Sequence, residues 1–389
     1  LIGVDGMTRC IVTGGGTGGH IYPAVAIAKG VKKIMPSSEI LYIGTESGME
    51  SSLVPREGLD FKPIRSSGIA GKSPAVALKG AWNALLGVDD ARRIFQIFRP
   101  DVVLGTGGYV SGPVVLAAWL MGIPCAIQEQ NAIPGKTNLY LSRKVDITFA
   151  AWEYSLEHFP KGANVKVAGN PVRDTLFSVS AKEAREFFGL DERFTLMVLG
   201  GSRGAESIIE AAVTIAREMD DSTQMLLITG SRYYNETIRK LGAAPEKDVE
   251  GARTSSVVIR PFVYNMEMAY NSCDLVLARA GGMTLAEITA LGLPSIVVPS
   301  PNVSGNHQEY NARALETEGA AVVIREGPDC IEQIKDSFLG LAKDKHAVDA
   351  MRRSSKKIGR PKAAEEIAQY LVEMSERSRL RRGHDPEKA

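Results

Sequence analysis

Apolar and polar positions along this chain repeat one arrangement. A short β-branched apolar run breaks into a glycine-rich turn, and ten or more residues with apolar positions at helical spacing follow. The arrangement occurs in CIVTGGGTGGHIYPAVAIAKGV (10–31), DVVLGTGGYVSGPVVLAAWLMG (101–122), FTLMVLGGSRGAESIIEAAVTIA (194–216) and DLVLARAGGMTLAEITALG (274–292). Strands alternating with helices predict an α/β protein with parallel sheets covered on both faces, whose ligands bind beyond the carboxyl ends of the strands. All of the glycine turns are expected at those ends. Between the second and third repeats, VKVAGNPVRDTLF (165–177) interrupts the pattern with Gly, Asn and Pro. This break predicts two domains, 7–168 and 169–360, with a cleft between them. A last helix is expected to open at Pro361, about 361–376, followed by a disordered charged tail, 377–389. Residues 1–6, ahead of Met7, are set aside as an expression remnant.

Glycines after a strand let the backbone approach a ligand, and the free N–H groups of the next helical turn carry positive partial charge toward the same point. Such turns seat anions. Residues 14–19 satisfy G-x-G-x-x-G, yet the acid that a dinucleotide fold wants about 20 residues on is displaced: Glu46 lies about 30 residues past the loop. His20 with Pro23 is also an unusual start for that helix, so a redox cofactor is set aside. In RAGGMTLAE, Thr284 and Glu287 form T-x-x-E. That spacing fits a capping box, and equally a pair in which Thr284 meets a diphosphate and Glu287 accepts from a ribose diol. Arg173 of GNPVR either holds a hinge or binds phosphate oxygens.

Composition narrows the partners. With 46 basic against 45 acidic residues in 389, nothing suits a nucleic-acid backbone. Cys10, Cys125, Cys273 and Cys330 form no C-x-x-C and read as free thiols in a reducing compartment, hence the cytoplasm. No stretch approaches the roughly 18 apolar residues of a spanning helix.

In order along the chain, GGGTGGHIYPAVAIA, DVVLGTGGYVSGPVVLAAW, QEQNAIPGKTN, AGNPVR, LGGSRGAESI, RAGGMTLAEITALGLPSIVVP and GNHQEYNARAL resemble the motifs of the MurG family. These are peripheral-membrane glycosyltransferases that convert lipid I to lipid II in bacterial peptidoglycan synthesis. The resemblance runs from Met7 to about residue 375 and implies the GT-B fold of two Rossmann-like domains, with acceptor on the N-terminal one, UDP-N-acetylglucosamine mainly on the C-terminal one, and the last helix packing back on the first domain. It sends Arg173, Ser202, Thr284 and Glu287 to the nucleotide, together with the turn Gly282, Met283, Leu285 and Ala286, and puts Val263 at the uracil edge. Asn131, Gly282, His307 and Gln308 would read the sugar, with Thr17, Gly18 and Gly19 closing over the donor. Gly15, Gly16, Gly107, Gly108, Tyr109 and Ser111 would hold the acceptor diphosphate. Gly282, Met283 and His307 depart from the alanine, leucine and glutamine common in the family.

The implied reaction is inverting attack of the 4-hydroxyl of N-acetylmuramic acid on the donor's anomeric carbon. A hydroxyl needs a base. His20, with imidazole's ordinary pKa of about 6.5, is one candidate; Glu129 is its rival, as base or as the group orienting His20; a purely positioning His20 is the third reading. No Asp-x-Asp occurs, so helix amides, Thr284, Ser202 and Arg173 are expected to stabilise the leaving diphosphate with no strict metal requirement and no cofactor. In GIAGKSPAVALKGAWNALLGVDDARR, Leu78, Trp82, Leu85 and Leu86 fall at helical spacing among Lys72, Lys79, Arg92 and Arg93. That spacing fits either a helix packed on the core of the first domain or a membrane face, and the resemblance implies the second, a peripheral contact with anionic lipid at the cytoplasmic face of the cell membrane. Other cell-wall synthesis proteins are expected partners. The rivals are a UDP-N-acetylglucosamine 2-epimerase of the same fold, disfavoured by two N-terminal glycine loops, and a non-catalytic UDP-sugar sensor.

Overall fold

A computed structural model describes residues 7–68, 74–200, 205–247 and 249–383, so Lys72 and Ser202 lie outside the described residues. The chain divides into two compact units, Leu1–Val172 with Pro361–Ala389, and Arg173–Arg360. The division falls after Val172 rather than at 169 for a local reason. Asn170 is buried in the first unit, donating to the Gln130 carbonyl at 3.0 Å and accepting from Gln128 Nε2 at 2.8 Å, whereas Arg173 pairs with Glu287 of the second.

In the first unit β1 (Arg9–Thr13), β2 (Glu39–Gly44), β3 (Asp60–Pro63), β4 (Val102–Gly105), β5 (Cys125–Glu129), β6 (Ile147–Ala150) and β7 (Val165–Val167) form a parallel sheet in the order 3-2-1-4-5-6-7. Cys10 and Val12 of β1 face one apolar core and Ile11 the other, which is why the strand is a continuous apolar run. The helix Gly18–Ile34 packs on the first of these faces and the helix Ser111–Leu120 on the second. Their strands, β1 and β4, are neighbours, so both helices begin at the point where the strand order reverses. In such sheets a ligand crevice opens there.

The final helix, Ala363–Gly383, lays Ile367, Ala368, Leu371 and Val372 into the core beside β1. Thr8 and Ser375 share a buried hydroxyl hydrogen bond of 2.9 Å, and Arg379 Nη1 donates to the Met7 carbonyl at 3.1 Å. Those ties carry the helix to Gly383, so the tail expected to be disordered from 377 is helical over its first part.

In the second unit β8 (Phe194–Leu199), β9 (Thr223–Ile228), β10 (Ala244–Pro245), β11 (Ala252–Arg253), β12 (Val257–Arg260), β13 (Leu275–Ala278), β14 (Ser295–Val297) and β15 (Ala321–Val323) lie in the order 10-11-12-9-8-13-14-15. Only the short β10–β11–β12 edge is antiparallel. The reversal here lies between β8 and β13, the strands that precede the third and fourth glycine-rich stretches of the sequence.

Candidate functional site

The two glycine turns of the first unit are braced against each other by their backbones. Gly15 N–H donates to the Gly107 carbonyl at 3.3 Å, and Gly108 sits so close that a Cβ there would fall 2.1 Å from the Gly15 oxygen. Gly108 also has φ of +79°, so glycine is required at this position twice over. Thr106 Oγ1 donates to the His20 carbonyl at 2.6 Å, tying the second turn to the first helix. With Gly15 N–H spent on Gly107 and Gly16 N–H donated to Glu50 Oε2 at 3.3 Å, neither amide is open to an anion. Gly15 and Gly16 thus brace the turn through their N–H groups. Among the described residues, no intramolecular acceptor takes the N–H of Thr17, Gly18, Gly19, Gly107, Gly108 or Tyr109. Both helices also begin with no side-chain cap and no acid in the first turn. A solvated anion site needs that condition. The helix Ala181–Phe188 shows the opposite case, a complete Ser180–Glu183 capping box.

His20 is half-buried, its Nδ1 3.2 Å from Thr17 Oγ1. Its ring lies along the second turn, where a Cβ on Gly107 would be 3.1 Å from Nε2. Glu129 is occupied differently. At 2 % exposure it accepts four hydrogen bonds, from Asn131 N and Nδ2 at 2.9 and 3.1 Å, Gly135 N at 3.0 Å and Asn138 Nδ2 at 2.8 Å. A carboxylate with these four donors shapes the loop that carries Asn131. The Ser111 hydroxyl is fully buried against Gly105, leaving only its backbone for a ligand. Tyr109 stacks over Gly16, with its phenol 3.3 Å from Thr45 Oγ1.

In the second unit the helix Gly282–Leu291 starts at N-cap Gly281, again with no side-chain cap and no acid in its first turn. Thr284 thus stands inside the helix, and T-x-x-E is not a capping box here. Glu287 is turned the other way: Oε1 accepts from Arg173 Nη2 at 3.2 Å and Oε2 from the Tyr270 phenol at 2.9 Å. Burial pushes the Glu287 carboxyl up, and Arg173 and Tyr270 pull it partly back. Burial, with the Glu287 charge beside it, holds the Tyr270 phenol well above its ordinary range, so it remains a donor. Leu285 and Ala286 are buried, Met283 and Thr284 half-buried, so the turn offers backbone and the Thr284 hydroxyl rather than apolar side chains. Val263 is buried between the exposed Phe262 and Tyr264. Half-buried His307 and Gln308 begin a helix after left-handed Gly305 and Asn306, and Gln308 Oε1 accepts from Ser300 N at 2.9 Å.

The helix Pro74–Phe98 of the first unit exposes Leu78, Trp82 and Leu85, each at least 60 %, beside exposed Lys79, Arg92 and Arg93. Leu86 is half-buried and only borders this face. Among the described residues no helix is long and apolar enough to cross a membrane.

Residues 10–150 match the glycosyltransferase family 28 N-terminal domain and residues 195–367 the family 28 C-terminal domain. The chain is a family 28 glycosyltransferase. It is 42 % identical to the UDP-N-acetylglucosamine–N-acetylmuramyl-(pentapeptide) pyrophosphoryl-undecaprenol N-acetylglucosamine transferase of Desulforamulus reducens, over 92 % of this chain and 96 % of that one. The enzyme of the same name from Caldanaerobacter subterraneus is 43 % identical over 93 % of this chain and 99 % of its own. Among solved structures, Acinetobacter baumannii MurG superposes with a TM-score of 0.74 at 27 % identity, over 94 % of this chain and 99 % of that one. UDP-GlcNAc 2-epimerase from Neisseria meningitidis superposes at 0.67 with 16 % identity, over 94 % and 100 % of the two chains, a likeness of fold alone. The transferase thus has two Rossmann-like α/β units of GT-B type.

Residues missed by reading the sequence also support the glycosyltransferase's loops. The Tyr42 phenol donates to the Gly14 carbonyl at 2.7 Å, Gln130 Nε2 to the Thr106 carbonyl at 2.6 Å, and Glu50 lies under the first turn. None shares a motif with its partner. The one available signal for Glu50 is an acid among glycines in GTESGME.

Proposed function

We propose that the enzyme transfers N-acetylglucosamine from UDP-N-acetylglucosamine to the 4-hydroxyl of N-acetylmuramic acid in lipid I, with inversion, giving lipid II. The observation that carries this reading is identity of 42 and 43 % to transferases named for that reaction, sustained along more than nine-tenths of the chain. The open amides of Thr17–Gly19 and Gly107–Tyr109 suit a diphosphate, which they meet without any side-chain charge. In the second unit the uncapped turn at Gly281, with Thr284, faces the UDP phosphates, and Glu287, fixed by Arg173 and Tyr270, accepts from the ribose hydroxyls. His20 takes the proton of the attacking hydroxyl, its Nδ1 oriented by Thr17. Charge on departing UDP is met by helix amides and Thr284, so turnover survives EDTA. The exposed Leu78–Trp82–Leu85 face with Lys79 rests on anionic lipid at the cytoplasmic side of the membrane. Other cell-wall synthesis proteins then meet the enzyme there.

The decisive assay is transfer of labelled sugar from UDP-N-acetylglucosamine to a short-chain lipid I analogue, with the new linkage read by NMR. A β-1,4 disaccharide in the presence of EDTA is expected. Conversion of the free donor to its 2-epimer, or donor binding without transfer, overturns the reading. Liposome flotation tests the membrane face: binding rises with anionic lipid and is lost in Trp82→Asp.

A further inference from the structure

Glu50 is the first residue of the helix Glu50–Arg56, 34 positions beyond the glycine it touches, and its side chain is 0 % exposed. Three glycines clear the space it fills. A Cβ on Gly48 would meet Oε1 at 2.2 Å, one on Gly44 would meet Cγ at 2.5 Å, and one on Gly15 would meet Oε1 at 2.6 Å. Among the described residues the carboxylate has no ion-pair partner. Its compensation is hydrogen bonding: Gly16 N–H at 3.3 Å to Oε2, and Thr45 N–H and Oγ1–H at 3.0 and 2.7 Å to Oε1. A buried carboxylate without a cation is costly, so such a group fixes its few donors firmly in place. The Thr45 hydroxyl lies in addition 3.3 Å from the Tyr109 phenol of the second glycine turn, whose ring covers Gly16.

We infer that Glu50 is a positioning residue of the acceptor site: by capturing Gly16 N–H and, through Thr45, Tyr109, it fixes both glycine turns so that the following amides face the acceptor diphosphate. The inference rests on the lipid I reading above. Glu50 touches no substrate. It also sets a division of labour in the first turn, in which Gly15 and Gly16 look inward and Thr17, Gly18 and Gly19 look outward. Replacing one carboxylate oxygen by an amide NH2 presents a donor to a donor at either Gly16 or Thr45, with no change in side-chain shape.

The test is steady-state kinetics of full-length wild type, Glu50→Gln and Thr45→Val on the lipid I analogue and UDP-N-acetylglucosamine, with thermal unfolding of each. Glu50→Gln is expected to raise KM for the lipid I analogue about tenfold, to leave KM for the donor within twofold, and to be matched in direction by Thr45→Val with a smaller rise. A fall in kcat alone, or equal rises in both KM values, would mean a merely structural carboxylate and overturns the inference. If Glu50→Gln does not fold, Thr45→Val and Tyr109→Phe decide: unchanged acceptor KM in both overturns it. Absence of transfer by the wild type would instead overturn the lipid I reading, which keeps the two failures distinct.

Discussion

The glycine turns of the first unit and the Gly281 turn of the second meet polar ligands by different means. In the first, two backbones are interlocked at Gly15, Gly107 and Gly108, and the open groups are amides that, among the described residues, donate to no intramolecular acceptor. In the second, the backbone turn is relaxed, and a largely buried carboxylate stands between an arginine and a tyrosine. A Cβ on Gly281 would come no nearer than 3.5 Å to Thr284 Oγ1, an ordinary contact. Under the function proposed above, the first arrangement suits the charge and shape of a diphosphate, and the second the hydroxyl groups of a ribose.

Five substitutions press on that contrast. The largest expected effect is His20→Ala, which should lower kcat with lipid I analogue by about 10²–10⁴-fold while UDP affinity by calorimetry is unchanged; a loss under tenfold removes His20 as base. Next comes Gly108→Ala against Gly281→Ala. The first forces a methyl 2.1 Å from the Gly15 oxygen at φ of +79°. It should cost about 1–3 kcal/mol in chemical denaturation, whereas Gly281→Ala should stay within about 0.5 kcal/mol. Equal costs would erase the distinction between a locked and a relaxed turn. Glu287→Gln should weaken UDP binding by about 10–100-fold, the worth of a hydrogen bond to a charged group, with lipid I KM unaffected.

The smallest effect is expected from Tyr270→Phe, and its sign follows from the carboxyl's surroundings. Burial raises the Glu287 pKa and the Tyr270 hydrogen bond lowers it. The ribose contact proposed above requires the ionised form, so donor affinity should fall as pH drops through that raised pKa. Removing the phenol raises the pKa further. The acidic limb of donor affinity against pH should therefore move to higher pH, with only a few-fold loss at neutrality. A limb that stays in place would separate Tyr270 from the carboxylate's ionisation.

Much of this architecture was legible because it is local. Each strand, turn and helix of the repeats adjoins the next in sequence, so period and glycine placement reveal it. The roles of particular side chains were less legible because parallel strand order joins distant segments. Glu50 reaches Gly16 because β2 lies beside β1, and Tyr270 reaches Glu287 across 17 residues. The four donors on Glu129 and the burial of the Ser111 hydroxyl are visible only in the folded chain. The T-x-x-E spacing fitted two geometries equally, and only the position of N-cap Gly281 separates them.

The return of the final helix to β1 also orders events during synthesis. The face formed by Cys10, Val12 and their neighbours is completed by Ile367, Leu371 and Val372, which the ribosome delivers after the entire second unit. At about 5–20 residues per second, the first sheet waits roughly 10–40 seconds with one apolar face incompletely covered. A nascent chain stalled before Pro361 should therefore bind holdase chaperones through its earliest-made half, and release them only when the last helix emerges.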